Sequence, residues 1–240
     1  ASLEGGSLRN AIPREAFAVI TLPAANEAAA MEIVKKHFAE MKSELSAHEP
    51  NINVALEPCA MPASVIDSKT ALNAVMAVYS CPNGVERMSD AMPGLVETSN
   101  NLAIVKSENG KIYVKCLMRS SVDSAKDVLG ESLSSVFVLA GAEVQLTGGY
   151  PGWKPKMDSA ILVTMKDVYK KMYGNEPEVK AIHAGLECGI LGGAYPNWDM
   201  ISCGPNIRSP HSPDERTEIA TVEKWWNYVV EVLKEAPSKK

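Results

Sequence analysis

The sequence predicts an α/β protein in two unequal parts. Three observations carry this. Short apolar runs that alternate with polar residues are interleaved with segments whose apolar residues recur every three to four positions, the periods of strands and helices. Asn109-Gly110 joins the two longest strand-like runs, and this dipeptide tolerates the positive φ of a tight hairpin. The stretch GGYPGWKPKM at 148–157 is dense in Gly and Pro and divides the chain into residues 1–150 and 151–240.

In the first part, residues 16–22 (AFAVITL) read as a strand that ends at Pro23. Residues 26–46 carry Val34, Phe38, Met41 and Leu45 at helical spacing. Residues 51–57 (NINVALE) alternate like a strand and stop at Pro58. Residues 68–80 read as a helix with Leu72, Val75, Met76 and Tyr79 on one face, ended by SCPNG at 80–84. The runs 95–106 and 111–119 form the hairpin. Asp123 reads as the N-cap of a helix over 124–140, with Leu129, Leu133, Val136, Phe137 and Ala140 as its buried stripe and Gly141 closing it. Residues 142–147 give one more strand. The order β-α-β-α-β-β-α-β corresponds to an open-faced, ferredoxin-like α/β sandwich with its helices on one side of the sheet.

The second part reads as helix 158–173, strand 177–183, short helix 187–194, strand 198–204, loop 205–214 and helix 215–235. The last helix carries Val222, Trp226, Val229, Val230 and Leu233 as a stripe that needs a sheet to cover it. Two strands do not make a stable doubly wound sheet, so the remaining strands are expected on another segment of chain. The sequence does not begin with Met, and Gly5-Gly6 leads at once into strand-like sequence, which reads as a processed or excised piece.

Composition narrows the function. Lys plus Arg number 24 against 29 Asp plus Glu, a net charge of −5 with no basic cluster, which argues against a nucleic-acid partner. No apolar run approaches the roughly 20 residues of a membrane helix. Residues 158–173 are interrupted by Lys166, Asp167, Lys170 and Lys171. Cys59, Cys81, Cys116, Cys188 and Cys203 are scattered and never in a CxxC, so free thiols and a cytoplasmic location are expected, without a thiolate zinc site.

Three constellations carry chemistry. The densest is HAGLECG at 183–189, where a strand end runs into a helix, the position at which α/β sheets bind ligands. His183 and Glu187 there could orient a substrate or bind a metal, and a capping Glu beside a half-buried His fits as well. The second, CGPNIRSPHSPDER at 203–216, is stiffened by Pro205, Pro210 and Pro213, which holds His211 with little entropy left to lose. Imidazole is the commonest metal ligand, and Asp214 or Glu215 could support it; Asp214 or Ser212 could equally cap the last helix. The third is Arg119 at a strand end, whose guanidinium could grip a carboxylate with two parallel hydrogen bonds or simply face solvent. No P-loop, GxGxxG, GxSxG or HExxH occurs.

The segments GGSLRNAIPRE (5–15), MPGLVETSNN (92–101), HAGLECG (183–189) and CGPNIRSPHSPDER (203–216) resemble, in this order, the aminoacyl-histidine dipeptidases. These are Xaa-His dipeptidases related to carnosinases, within the wider clan of dinuclear zinc exopeptidases. The resemblance implies that residues 1–150 form most of a lid domain, incomplete at its N-terminus, and that residues 151–240 are the C-terminal segment of the catalytic α/β domain. It implies that His211 is a zinc ligand, that Glu187 and Gly189 contact the substrate near its amino end, that Arg119 binds the substrate carboxylate and that His183 lines the pocket wall. The family's other metal ligands and its general base, one of a Glu-Glu pair, are expected upstream of residue 1. No catalytic residue is therefore expected in this chain, and the chain alone is expected to be inactive.

The implied cofactor is zinc, two ions in the intact enzyme. The implied partners are a short peptide substrate, the missing N-terminal half of the catalytic domain and a second copy, since the lid often dimerises. A stand-alone lid-like dimerisation or peptide-binding module is the alternative, and the intact SPHSPDER loop weighs against it. A related zinc tripeptidase or deacylase is a third reading, disfavoured by the HAGLECG form.

Overall fold

The computed structural model describes residues 1–90, 92–153, 156, 158–180, 187–210 and 212–235. Five strands make one antiparallel sheet: β1 (Ser2–Gly5), β2 (Ala16–Val19), β3 (Gly84–Met88), β4 (Val96–Glu108) and β5 (Lys111–Ser120). β4 is its spine. β5 runs along one edge of β4, from Thr98↔Ser120 to Glu108↔Lys111. The other edge is shared: β3 pairs with the N-terminal half of β4, β1 reaches Val105, and β2 lies outside β1. The hairpin forms at the expected residues, with φ of 52° at Asn109 and 71° at Gly110. Two left-handed residues match the twist of the flanking strands.

The helices are α1 (Glu27–Leu45), α2 (Ser68–Ser80), α3 (Asp123–Leu139), α4 (Ala160–Tyr173), α5 (Glu187–Ala194) and α6 (Ile219–Glu235). Two apolar cores result. In the first, Leu129 and Leu133 of α3 meet Cys81, Leu102, Cys116 and Met118. Leu102, Cys116 and Met118 share one sheet face because strand side chains alternate. In the second, Met165 and Val168 of α4 meet Tyr228 and Val232 of α6. The Tyr228 hydroxyl donates to the Met165 carbonyl at 2.7 Å, and Lys224 of α6 lies over the rings of Tyr169 and Tyr173. Burial of the phenol raises the Tyr228 pKa to about 12, which keeps that donor protonated.

Several expectations change. Residues 51–57 form no strand; Val54 and Leu56 instead line one cavity with Met31, Val34 and Phe38 of α1. Residues 142–147 also form no strand, and Leu146 rests by Gly130 of α3. Residues 177–180 and 198–204 form no strand, while 181–183 lie outside the described residues. The polar, exposed β3 arises just after SCPNG, where only an ending was expected. The loop 205–214 contains half of a small hairpin, β6 (Ile207–Arg208) against β7 (Arg216–Thr217), which shortens the last helix at its start. Asp123 is the first residue of α3 rather than its N-cap, because its carboxylate is engaged elsewhere.

The predicted stripe of α2 is not the face that is buried, which centres on Ala77, and that of α6 is used only at Val229 and Val230. Leu72, Val75, Met76 and Tyr79 face solvent, as do Val222, Leu233 and Trp226, the last 59% exposed. The accessible surface totals 17770 Å², against roughly 10,500 Å² for a compact monomer of this size. Among the described residues no helix is long and apolar enough to cross a membrane.

Candidate substrate-binding site

The end of β5 is fixed by a short polar run. Ser120 Oγ pairs with Thr98 Oγ1 at 2.9 Å and accepts from the Val122 amide at 3.0 Å, and the Ser121 amide donates to the Glu97 carbonyl. Glu97 is 8% exposed and takes the Arg87 guanidinium on one carboxylate oxygen. The preceding residue, half-buried Arg119, pairs in register with Ser99. Alternation puts Arg119 on the sheet face opposite Met118, away from α3. On that face Asn101 donates to the carbonyls of Arg9 and Ala11.

A joint at Pro151-Gly152 connects this strand end to α5. The Gly152 amide donates to Asp123 Oδ1 at 3.0 Å, and Lys126 Nζ bridges Asp123 and the Tyr150 carbonyl at 2.7 Å each. The Lys126 ammonium, followed by the Gly152 amide, holds the Asp123 carboxyl below its ordinary range. A Cβ on Gly152 would sit 2.8 Å from the Ser121 carbonyl oxygen. Buried Gly189 of α5 faces Pro151 from the other side, where a Cβ would come within 2.5 Å of the Pro151 carbonyl. Gly193, one turn on, accommodates the Pro151 ring. Only a helix face without side chains accepts this contact. Arg119, Gly189 and exposed Glu187, in the first turn of α5, are thus tied through one joint. Burial and the neighbouring Glu187 charge raise the Cys188 thiol, which keeps it neutral.

His183 and His211, the two candidate histidines, lie outside the described residues. The loop 209–215, in which His211 falls, is well framed. It closes the β6–β7 hairpin and contains Ser209 at φ 50°, whose carbonyl accepts from the Ser212 hydroxyl at 2.9 Å. Its base is pinned to the start of α6 by Asn206, whose amide donates to Thr221 Oγ1 at 2.9 Å and whose carbonyl accepts from the Glu218 amide. Asp214 stays exposed, its backbone amide donates to Ser212 Oγ at 3.1 Å within the loop, and α6 starts only at Ile219, so Asp214 does not cap it. Among the described residues no group of three His, Cys, Asp or Glu side chains could hold a metal ion.

Two long-range carboxylate contacts escape sequence reading, which takes Asp123 only as a cap. Asp123 reaches 29 residues along the chain, and Asp199 reaches 38 to accept the Ile161 amide at the start of α4. That backbone donor lowers the Asp199 pKa, with the Ser159 hydroxyl adding to it. The Pro-Gly pair after the double glycine was the available signal for the joint.

No family model matches the chain. A cytosol non-specific dipeptidase from Escherichia coli is 39% identical over 235 residues, covering 98% of this chain and 48% of that protein. The crystal structure of an aminoacylhistidine dipeptidase from Vibrio alginolyticus superposes with a TM-score of 0.86 at 44% identity, covering 100% of this chain and 49% of that one. The chain resembles the aminoacyl-histidine dipeptidases over its whole length. It spans about half the length of the relatives it matches. Aminopeptidase PepT from Bacillus cereus shares the fold over 69% of this chain, with a TM-score of 0.54 at 17% identity. The mixed α/β architecture expected from sequence is thus shared with the aminoacylhistidine dipeptidase structure and, as a fold, with PepT.

Proposed function

We propose that this chain is the lid-like part and the C-terminal catalytic segment of a zinc-dependent Xaa-His dipeptidase, and that it binds the substrate rather than carrying the base. The carrying observation is the match across all of this chain to an aminoacylhistidine dipeptidase at 44% identity. A division near residue 150 is supported by the two separate cores, one on either side of the Pro151-Gly152 joint. The free cysteines and the relative called a cytosol dipeptidase support a cytoplasmic setting.

The donors described in this chain do not fit a zinc site on their own. A catalytic zinc takes three protein ligands, and the resemblance offers one, His211. The metal therefore belongs to the larger assembly, and the 240 residues alone are inactive. The exposed apolar faces of α2 and α6 support the same reading, since large apolar patches mark surfaces that other protein covers.

The chain's own residues bind the peptide. Arg119 holds the terminal carboxylate through two parallel N–H···O bonds. By the resemblance, Glu187 meets the ammonium at the other end, with Gly189 next to it in α5 seating that helix on Pro151, and His183 is assigned to the pocket wall. A grip on the terminal carboxylate limits substrates to short peptides.

Arg119→Ala, placed in a polypeptide that joins this chain to the remaining half of its relatives' length, tests the reading. The expected result is a KM for Xaa-His dipeptides raised about tenfold or more, the scale of one charge-assisted pair, with the preference for a free over an amidated C-terminus abolished. An unchanged preference for the free carboxylate would refute the role of Arg119.

A further inference from the structure

Cys81 and Cys116, which no part of the peptidase reading uses, meet inside the first core. Cys81 ends α2 and is buried; Cys116 lies in the middle of β5 and is half-buried. Their Sγ atoms are 3.9 Å apart across 35 residues of chain. Asn100 stands beside them, with its side-chain amide 3.9 Å from Cys81 Sγ and donating to the Pro82 carbonyl at 2.6 Å. Cys59 and Cys203 are exposed instead, and Cys188 lies on α5.

From this geometry we infer that Cys81 and Cys116 are a redox modification site, a dithiol that closes to a disulfide when a small peroxide reaches it. The sulfurs are already in van der Waals contact, so side-chain rotation and a small backbone adjustment bring them to the roughly 2.05 Å of an S–S bond. The order of events follows from exposure and charge. Cys116 is the more accessible, and its thiol is lowered by its contact with Cys81 and by the Asn100 amide. Cys81 is raised by the same contact and by burial.

Cys116 is therefore the attacking thiolate. Its sulfur attacks one peroxide oxygen and the O–O bond breaks, which leaves a sulfenic acid on Cys116 and a hydroxide that takes a proton to become water. The Cys81 sulfur then attacks the Cys116 sulfur and the S–O bond breaks. The departing hydroxide takes the Cys81 proton and leaves as a second water. Two thiols are oxidised by two electrons and one peroxide is reduced to two waters. The bond fastens the C-terminus of α2 to the middle of β5, three residues before Arg119.

The test is native peroxide treatment of the full chain with hydrogen peroxide, followed by alkylation, trypsin digestion and mass spectrometry. The expected result is a dominant cross-link between peptides 70–87 and 116–119, lighter than the two free peptides by two hydrogens and reversed by dithiothreitol. In Cys81→Ser the resolving thiol is gone, so a sulfenic acid on Cys116 should accumulate and be trapped by a 1,3-dione. Dominant pairing through Cys59, Cys188 or Cys203 would overturn the proposal. So would a wild-type Cys116 that oxidises onward without the cross-link, or a Cys81→Ser variant whose Cys116 is no more readily trapped than Cys59.

Discussion

Gly189→Ala sets two effects of opposite sign against each other. In a helix interior alanine is favoured over glycine by about 1 kcal/mol, so α5 by itself gains. The new Cβ, however, would lie 2.5 Å from the Pro151 carbonyl oxygen, which is backbone and has no rotamer to change. Overpacking of this kind costs about 1–3 kcal/mol, and a rigid partner puts it toward the upper end. The net expectation is a loss of about 1–2 kcal/mol, together with release of the Gly152 amide from Asp123. Gly192→Ala is the control on the same helix, because its Cβ meets only the end of the flexible Met200 side chain at 3.2 Å. That variant should be neutral or gain up to about 1 kcal/mol. Thermal melting separates the two by roughly 4–8 °C at this chain length. Hydrogen exchange at Gly152 should quicken only in Gly189→Ala. If Gly189→Ala is as stable as Gly192→Ala and its Gly152 amide stays protected, the joint does not seat Pro151 on α5.

Tyr228→Phe removes the buried hydroxyl that donates to Met165 and should lower stability by about 1 kcal/mol, read as a fall in the urea midpoint at unchanged slope. The Asp123 contacts give a pH dependence of defined sign. Its folded pKa lies below the unfolded carboxylate value, so the stabilisation is complete above about pH 4 and fades as pH falls through the lower folded value. Exchange at the Gly152 amide, corrected for its intrinsic pH dependence, should therefore quicken below that pH in wild type, and Asp123→Asn should remove the extra step.

What the sequence discloses is what is local. Asn109-Gly110 defines the hairpin because two left-handed residues are needed there. Ser159 and Gly174 bound α4 through a side-chain cap and a left-handed end. Strands are harder, because a strand exists only where another lies beside it. Residues 51–57 alternate well enough, yet they pair with no strand among the described residues and turn to α1 instead, while the exposed β3 forms because it lies beside β4. The candidate site divides in the same way. Arg119 at a strand end and Glu187 at a helix start were legible from the sequence. The joint that ties them depends on Asp123, Gly152 and Gly189 meeting across long separations; the Pro151-Gly152 pair marks a turn there, but nothing local marks the partners it meets.

The central claim is that this chain supplies binding residues and one ligand to a zinc dipeptidase. The most direct measurement is hydrolysis of free Xaa-His dipeptides by this chain joined to the remaining half of its relatives' length, after metal removal and zinc return. The account predicts that activity vanishes with the metal and returns with zinc. It also predicts that His211→Ala both lowers zinc content and abolishes turnover, and that the 240 residues alone hydrolyse nothing. A His211→Ala protein with full zinc and unchanged kcat, or dipeptide hydrolysis by the 240 residues alone, would contradict it.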